Sequence, residues 1–142
     1  MTEQNTITTT TAPPPVGAYP HARRVGNLLF LSGVGPRAAD GSGIPGNVYD
    51  DQGRLQSYDI EAQCHSVFGN VRAVLEASGA RLEDLVDVTV FLTDMQNDFA
   101  TFNRLYADYF KNCNPCRTTI EINALPTPIA IELKCVAALG AE

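Results

Sequence analysis

The chain has 142 residues, of which 44% are apolar, and a formal net charge of −6. That length suits one domain with a real core but leaves little depth for a catalytic pocket walled by a single copy, so a site shared between copies is expected. The acidic balance argues against a polyanion as main partner, and no apolar run approaches the roughly 20 residues of a membrane span, so no membrane partner is expected. With no basic-then-apolar leader at the start, a cytoplasmic location is expected.

Residues 1–15 are threonine-rich and then proline-rich, with too little apolar content to pack alone, and are expected to form a flexible or extended arm. The remainder, 16–142, is expected to be a single domain. The run Leu28-Leu29-Phe30-Leu31-Ser32-Gly33-Val34 reads as a short buried strand. Residues 37–56 are dense in Gly, Asp and Pro and read as a loop. Such a loop is equally suited to lining a substrate mouth and to plain surface decoration.

Ser57 is a fitting helix N-cap, with Asp59 and Glu61 in the first turn, where the helix dipole favours carboxylates. Ile60, Cys64, Val67, Val71, Val74 and Ala77 then recur at three- and four-residue steps, and Gly79 stands just past the end. Val86, Val88, Val90 and Leu92 alternate with Asp87, Thr89 and Phe91, as in a strand. A second helix, capped near Asn97 and Asp98, carries Phe99, Phe102, Leu105, Tyr106, Tyr109 and Phe110 at helical spacing; these read as core rather than as a cofactor box. Together the elements indicate an α+β domain, a mixed β-sheet with two helices packed on one face.

Near the end, Cys116-Arg117-Thr118-Thr119-Ile120-Glu121-Ile122-Asn123 and Ile129 to Ala137 both alternate apolar and polar residues about a proline-bearing link. Paired as a hairpin with their apolar sides together, the two strands would set Arg117, Thr119 and Glu132 on a common face. By pattern alone such an Arg and Glu read first as a solvated surface pair contributing roughly 0–1 kcal/mol. Sheltered, they carry chemistry: the planar, permanently charged fork of Arg117 suits a carboxylate, and Glu132 in a half-buried cleft can hold a water and pass protons. Gly33 permits close backbone approach of a ligand, and Tyr19 can close one wall. Cys113-Asn114-Pro115-Cys116 has the CxxC form, but no second ligand pair accompanies it, and neither His21 nor His65 joins the cysteines at ligand spacing. No metal site is expected.

The run from Pro115 to Pro126, followed by Ile131-Glu132-Leu133, resembles the C-terminal signature of the RidA (YjgF-type) enamine/imine deaminase family, and Gly17-x-Tyr19, Gly26-Asn27 and Ser32-Gly33 match its N-terminal pattern in the same order. The resemblance covers roughly residues 16–138. It implies the YjgF/chorismate-mutase-like fold, a homotrimer, stacked or not into a hexamer, with ligand clefts between subunits, no cofactor, and hydrolysis of activated C=N bonds. It also implies that Asn103 points into the cleft. Arg117 and Glu132 are then the catalytic pair, and Arg117, Tyr19, Gly33, Asn103 and Thr119 bind substrate. Within the family, Ala18-Tyr19-Pro20-His21-Ala22, the long loop and Tyr49 to Leu55 look most like the 2-aminomuconate deaminase branch of aromatic-compound degradation, which implies a dicarboxylate substrate and a second cation among Arg23, Arg24, Arg104 and Lys134. His21 stands where many relatives carry Gln and Thr119 where many carry Cys. A general 2-aminoacrylate-type deaminase, a non-catalytic 2-oxo acid sensor or chaperone, and a ribonuclease remain as alternative readings, the last opposed by the acidic balance.

Overall fold

Strand propensity is concentrated in Leu85–Leu92, whose valines suit a pleated, half-buried surface, and this strand lies second from one edge of the sheet. In the computed structural model, which describes residues 5–140, the strands are β1 (Thr6–Ile7), β2 (Ala22–Val25), β3 (Leu28–Leu31), β4 (Val48–Tyr49), β5 (Leu55–Ser57), β6 (Leu85–Leu92), β7 (Cys116–Glu121) and β8 (Ile131–Ala138). Six of them form one sheet in the order β1-β2-β3-β8-β6-β7, while β4 and β5 make a separate two-stranded ribbon within the second half of the long loop, ending at Ser57. Helices α1 (Ile60–Ala77) and α2 (Met95–Tyr109) connect the strands. All pairings in the large sheet are antiparallel except β6 with β7, so the expected mixed sheet with two helices is the fold observed.

The expected hairpin of the last two strands does not form. β6 lies between them, pairing in parallel with β7 and antiparallel with β8. The reason is the crossover: α2 joins β6 to β7 as a β-α-β unit, which sets those two strands parallel and side by side. Hydrophobic alternation fixes which face of a strand is buried but not which neighbour it takes.

Helix starts also differ from expectation. Ser57 is the last residue of β5, its backbone committed to pairing with Val48, so the cap of α1 falls to Asp59, which accepts a hydrogen bond from the Ala62 N–H at 3.2 Å. The second helix begins a turn earlier than expected, on Asp94, whose side chain accepts from the Asn97 N–H. Asp98 is thereby turned inward, 5% exposed, and accepts from the Tyr58 hydroxyl at 2.6 Å. Burial raises the Asp98 carboxyl pKa, and the Tyr58 hydrogen bond opposes the rise. In β6 a bulge between Leu85 and Asp87 turns Val86 outward to 43% exposure, so Leu85 and Val88 are both buried.

The core lies between the sheet and the helices. Phe68 and Phe102 are fully buried, and Phe68 meets the rings of Phe102, Tyr106, Tyr109 and Phe110 at centroid distances of 5.1–6.4 Å. The aromatic stripe of α2 is therefore core, as its spacing indicates. Among the described residues no helix covers the opposite face of the sheet, and Leu28, Phe30 and Ile120 remain 38–39% exposed there.

The described part of the N-terminal arm is ordered against the sheet rather than free. β1 pairs with β2, placing Thr6 opposite Arg23, and Ala12 is 3% exposed. His21 supplies the tether: its Nδ1 accepts from the Thr9 N–H at 3.2 Å and its Nε2 lies 2.9 Å from the Pro13 carbonyl, so Nε2 carries the proton and donates. One imidazole thus satisfies a donor and an acceptor of a segment with too few apolar side chains to dock by burial alone. Residues 1–4 lie outside the described residues.

Candidate active site

The parallel register sets Arg117 beside Val88 and Thr119 beside Val90. Both valines are fully buried, so Arg117 and Thr119 point to the helix side of the sheet. There the Arg117 guanidinium lies over α2, 4.8 Å from the ring centroid of Tyr106, 5.2 Å from Phe102 and 6.0 Å from Phe99. The ring faces hold the cation in place without neutralising it. Among the described residues no carboxylate lies within ion-pair distance of it. The Tyr106 hydroxyl and Thr119 Oγ1 are buried and have no hydrogen-bond partner among the described residues. Burial pushes the Tyr106 phenol up to about 12, with the Arg117 charge acting in the opposite sense, so the hydroxyl keeps its proton and can donate. A fixed cation over the Tyr106 ring, with Thr119 on the same strand face, matches a carboxylate, whose oxygens accept several such bonds. Asn103 is exposed on α2, one turn from both Phe99 and Tyr106.

Glu132 lies on the other side. Its β8 position pairs with Phe91, which pairs with Ile120, while Ile131 and Leu133 on either side of it are fully buried among the core residues. Arg117 and Glu132 therefore occupy opposite faces of the sheet within one chain, and the expected common face is not observed. It depended on direct pairing of β7 and β8, which β6 prevents.

A second group of the expected residues does gather around Glu132. Val34 exchanges two backbone hydrogen bonds with Leu133, 2.8 and 2.9 Å, and this draws Gly33 up to the Glu132 side chain. A Cβ on Gly33 would stand 2.9 Å from the Glu132 carboxyl carbon, so only glycine leaves the carboxylate its present place. Tyr19 is 43% exposed, and its hydroxyl accepts from the Val16 N–H at 3.3 Å. Tyr19, Gly33, Arg37, Ile129 and Glu132 line one open cleft of about 110 Å³. Burial alone raises the pKa of the Glu132 carboxyl, since it penalises the charged form.

The cations expected from sequence to serve this cleft do not line it. Arg23 and Arg24 are exposed on β2, and Arg24 Nε donates to the Gly26 carbonyl. Arg104 stands 3.8 Å from Glu61, and Lys134 Nζ donates to the Leu31 carbonyl. Arg37, the first residue of the long loop, is the arginine that enters the cleft. Its only sequence signal is its place two residues after Gly35 in the tight Ser32-Gly33-Val34-Gly35-Pro36 approach. The rest of that loop is pinned by Asn47, which donates to the Pro128 carbonyl and accepts from Gln63 Nε2, both at 2.9 Å.

Among the described residues no three His, Cys, Asp or Glu side chains converge as metal ligands, and all four cysteines are free thiols. Nor is any described helix long and apolar enough to cross a membrane.

Comparison with known proteins places this geometry in context. A sequence model described as Endoribonuclease L-PSP matches residues 9–139. A RutC family protein of Pyrococcus horikoshii is 38% identical over 131 residues, covering 92% of this chain and 94% of the relative. The 2-iminobutanoate/2-iminopropanoate deaminase of Dermatophagoides farinae is 33% identical over 137 residues, covering 96% and 97%. Among solved structures, the Escherichia coli YjgF gene product superposes with a TM-score of 0.80 at 33% identity, covering 94% of this chain and 97% of that one. Escherichia coli TdcF with bound serine gives 0.81 at 29%, with the same coverage.

Proposed function

This chain belongs to the endoribonuclease L-PSP family, the family of the RidA and YjgF proteins, and from that membership and the two half-sites we propose that it is a hydrolytic deaminase of 2-imino and enamine carboxylic acids. The observation that carries this reading is the Arg117 guanidinium, stacked on aromatic rings and without a carboxylate partner among the described residues. It is built to take the α-carboxylate, with Thr119 and Tyr106 adding hydroxyl donors and Asn103 bordering the opening.

The reaction needs water activation and proton transfer at one carbon. Protonation of the enamine at C3 gives the iminium, whose C2 is already electrophilic. Glu132, ionised, takes a proton from a water as its oxygen bonds to C2, giving the carbinolamine. The same carboxyl returns that proton to nitrogen, the C–N bond breaks and ammonia leaves; the hydroxyl of C2 gives its remaining proton to the Glu132 carboxylate as C2 becomes a carbonyl, which replaces the proton spent at C3. One water is consumed per ammonia released, and no redox partner or cofactor is required. A carboxyl whose pKa is raised above the ordinary range is the better proton carrier for such a cycle at near-neutral pH.

Because Arg117 and Glu132 face opposite sides of the sheet, a complete site in this proposal joins two copies: the Arg117, Thr119 and Asn103 half of one protomer and the Glu132, Gly33 and Tyr19 half of its neighbour, in a homotrimer. The uncovered sheet face bearing Leu28, Phe30 and Ile120 supports self-association. The finer substrate we propose is 2-aminomuconate, converted with water to 4-oxalocrotonate and ammonia in the cytoplasm; the support is the resemblance around Tyr19 to Ala22 and Tyr49 to Leu55. A related protein of Dermatophagoides farinae is named for 2-iminobutanoate and 2-iminopropanoate, and activity confined to such monocarboxylates would replace the finer reading.

The test is ammonia release from freshly generated 2-aminomuconate and 2-iminobutanoate without added metal. Arg117→Ala is expected to lower kcat/KM roughly 10²–10⁴-fold through KM, the value of two charge-assisted hydrogen bonds, and Glu132→Gln to lower kcat with binding retained. A wild-type protein that binds 2-oxo acids and turns over neither substrate would sink the enzymatic reading.

A further inference from the structure

Arg37 is held in the Glu132 cleft by an unusually complete set of backbone restraints. Ser66 Oγ, on α1, donates to the Pro36 carbonyl at 2.7 Å, and Asn70 Nδ2, one turn along the same helix, donates to the carbonyls of Gly35 at 2.9 Å and of Arg37 itself at 2.8 Å. Three successive carbonyls are thus fixed by two side chains, and Asn70 is 8% exposed. Immediately beyond, the Ala38 N–H donates to the Gly43 carbonyl at 2.8 Å, closing the loop tip back on itself. The restraints converge on one residue's main chain, which sets the origin of its side chain.

The guanidinium is also aimed. It donates through Nη2 to the Pro14 carbonyl at 2.6 Å, and Pro14 belongs to the arm that His21 tethers. That bond uses one of the five donors of the fork. Among the described residues no carboxylate stands within ion-pair distance of Arg37. Glu132, which lines the same cleft, is not paired with it, and burial is the sole cause of the raised Glu132 pKa. Arg37 is therefore a preorganised cation whose charge is not spent within the described chain. A planar fork with free donors in a cleft recognises an anionic group with two oxygens.

We infer that Arg37 is the specificity-determining residue of this cleft, receiving a second, distal carboxylate of the substrate and so selecting dicarboxylic over monocarboxylic imino acids. The inference rests on the deaminase reading above for its reacting group but not for its binding geometry. Arg37 holds the substrate end remote from C2; it moves no proton.

The experiment compares kcat/KM for 2-aminomuconate and 2-iminobutanoate in wild type, Arg37→Met, Arg37→Lys and Arg24→Met. The dicarboxylate preference is expected to fall roughly 10–100-fold in Arg37→Met, the value of one charge-assisted hydrogen bond, through KM rather than kcat. Arg37→Lys is expected to regain part of it, and Arg24→Met, outside the cleft, to keep the wild-type ratio. An equal loss on both substrates would reduce Arg37 to a support for the loop, and an unchanged ratio would remove it from recognition; either result overturns the inference. Equilibrium binding of glutarate against butyrate is read in parallel. If wild type deaminates neither substrate, the deaminase reading fails alone, and a glutarate preference that Arg37→Met abolishes still upholds the role of Arg37, while the absence of any such preference overturns it.

Discussion

Replacing Gly33 by alanine adds one methyl group directly beside the Glu132 carboxyl. The new Cβ would lie 2.9 Å from the carboxyl carbon and 3.6 Å from Cγ, where ordinary contact begins at 3.4 Å. Glu132 Oε2 would lie closer still, so the carboxyl must retreat by about 1 Å, and it has room to do so by rotating into the open cleft. The backbone at Gly33 is not in the left-handed region, so no conformational strain accompanies the change, and stability should fall by less than about 1 kcal/mol. Catalysis is less tolerant: a displacement approaching 1 Å at a proton-transferring group costs on the order of 10²-fold, so Gly33→Ala is expected to lower kcat about 10–100-fold with little change in KM. Ammonia release under saturating substrate, with thermal unfolding of the same preparations, reads both quantities. Gly69→Ala is the companion variant: Gly69 is exposed within α1 and a Cβ there meets nothing within 4 Å, so it should gain roughly 0.5–1 kcal/mol of stability and keep its kcat. Full kcat in a folded Gly33→Ala protein would refute the placement of the acid/base group at Glu132.

Two further outcomes follow from the burial of polar groups. Glu132→Gln should raise the melting temperature at neutral pH, because the folded-state pKa of Glu132 lies above its unfolded value and burying the charge costs stability. The sign fixes the window: the stability that Glu132 confers when protonated is fully present below the unfolded carboxyl pKa and is lost as pH rises through the folded one. The two melting curves should therefore converge in acid, and a gap that persists unchanged there would contradict the cause. Tyr106→Phe removes a buried hydroxyl that has no partner among the described residues, so it should stabilise the free protein by about 1 kcal/mol while weakening binding of a 2-oxo carboxylate several-fold; denaturant titration and calorimetry should move in opposite directions, and unchanged binding would place the hydroxyl in the core rather than in the site.

The candidate site was partly legible in the chain. The idea that Arg117 meets a carboxylate came from residue chemistry, and the structure adds the aromatic floor of Phe99, Phe102 and Tyr106 that keeps the guanidinium unpaired but fixed. Gly33 and Tyr19 were legible as neighbours of a ligand and do meet Glu132 in one cleft. Arg37 was not legible, because nothing in the string Gly35-Pro36-Arg37 reveals that Ser66 and Asn70, about thirty residues on, hold those three carbonyls. The ordered arm was missed for a similar reason: its threonines and prolines bury little surface, and its order comes from hydrogen bonds to His21 across 8–12 residues.

The sequence by itself determined the main elements, because period is local: the helical stripe of α2, the alternation of β6, β7 and β8, and the glycine after α1 are each written within a few residues, whereas both helix N-caps fell on other residues than expected. It also determined the chemical types available, a fork for carboxylates and a carboxyl for protons. Only the tertiary structure decided which strands are neighbours, and that choice separates Arg117 from Glu132 onto two faces of one sheet. Side-chain parity within a strand is a property of the backbone repeat, whereas parity between strands passes through whichever strand lies between them, and β6 is placed there by a crossover helix that the alternation of β7 and β8 does not encode.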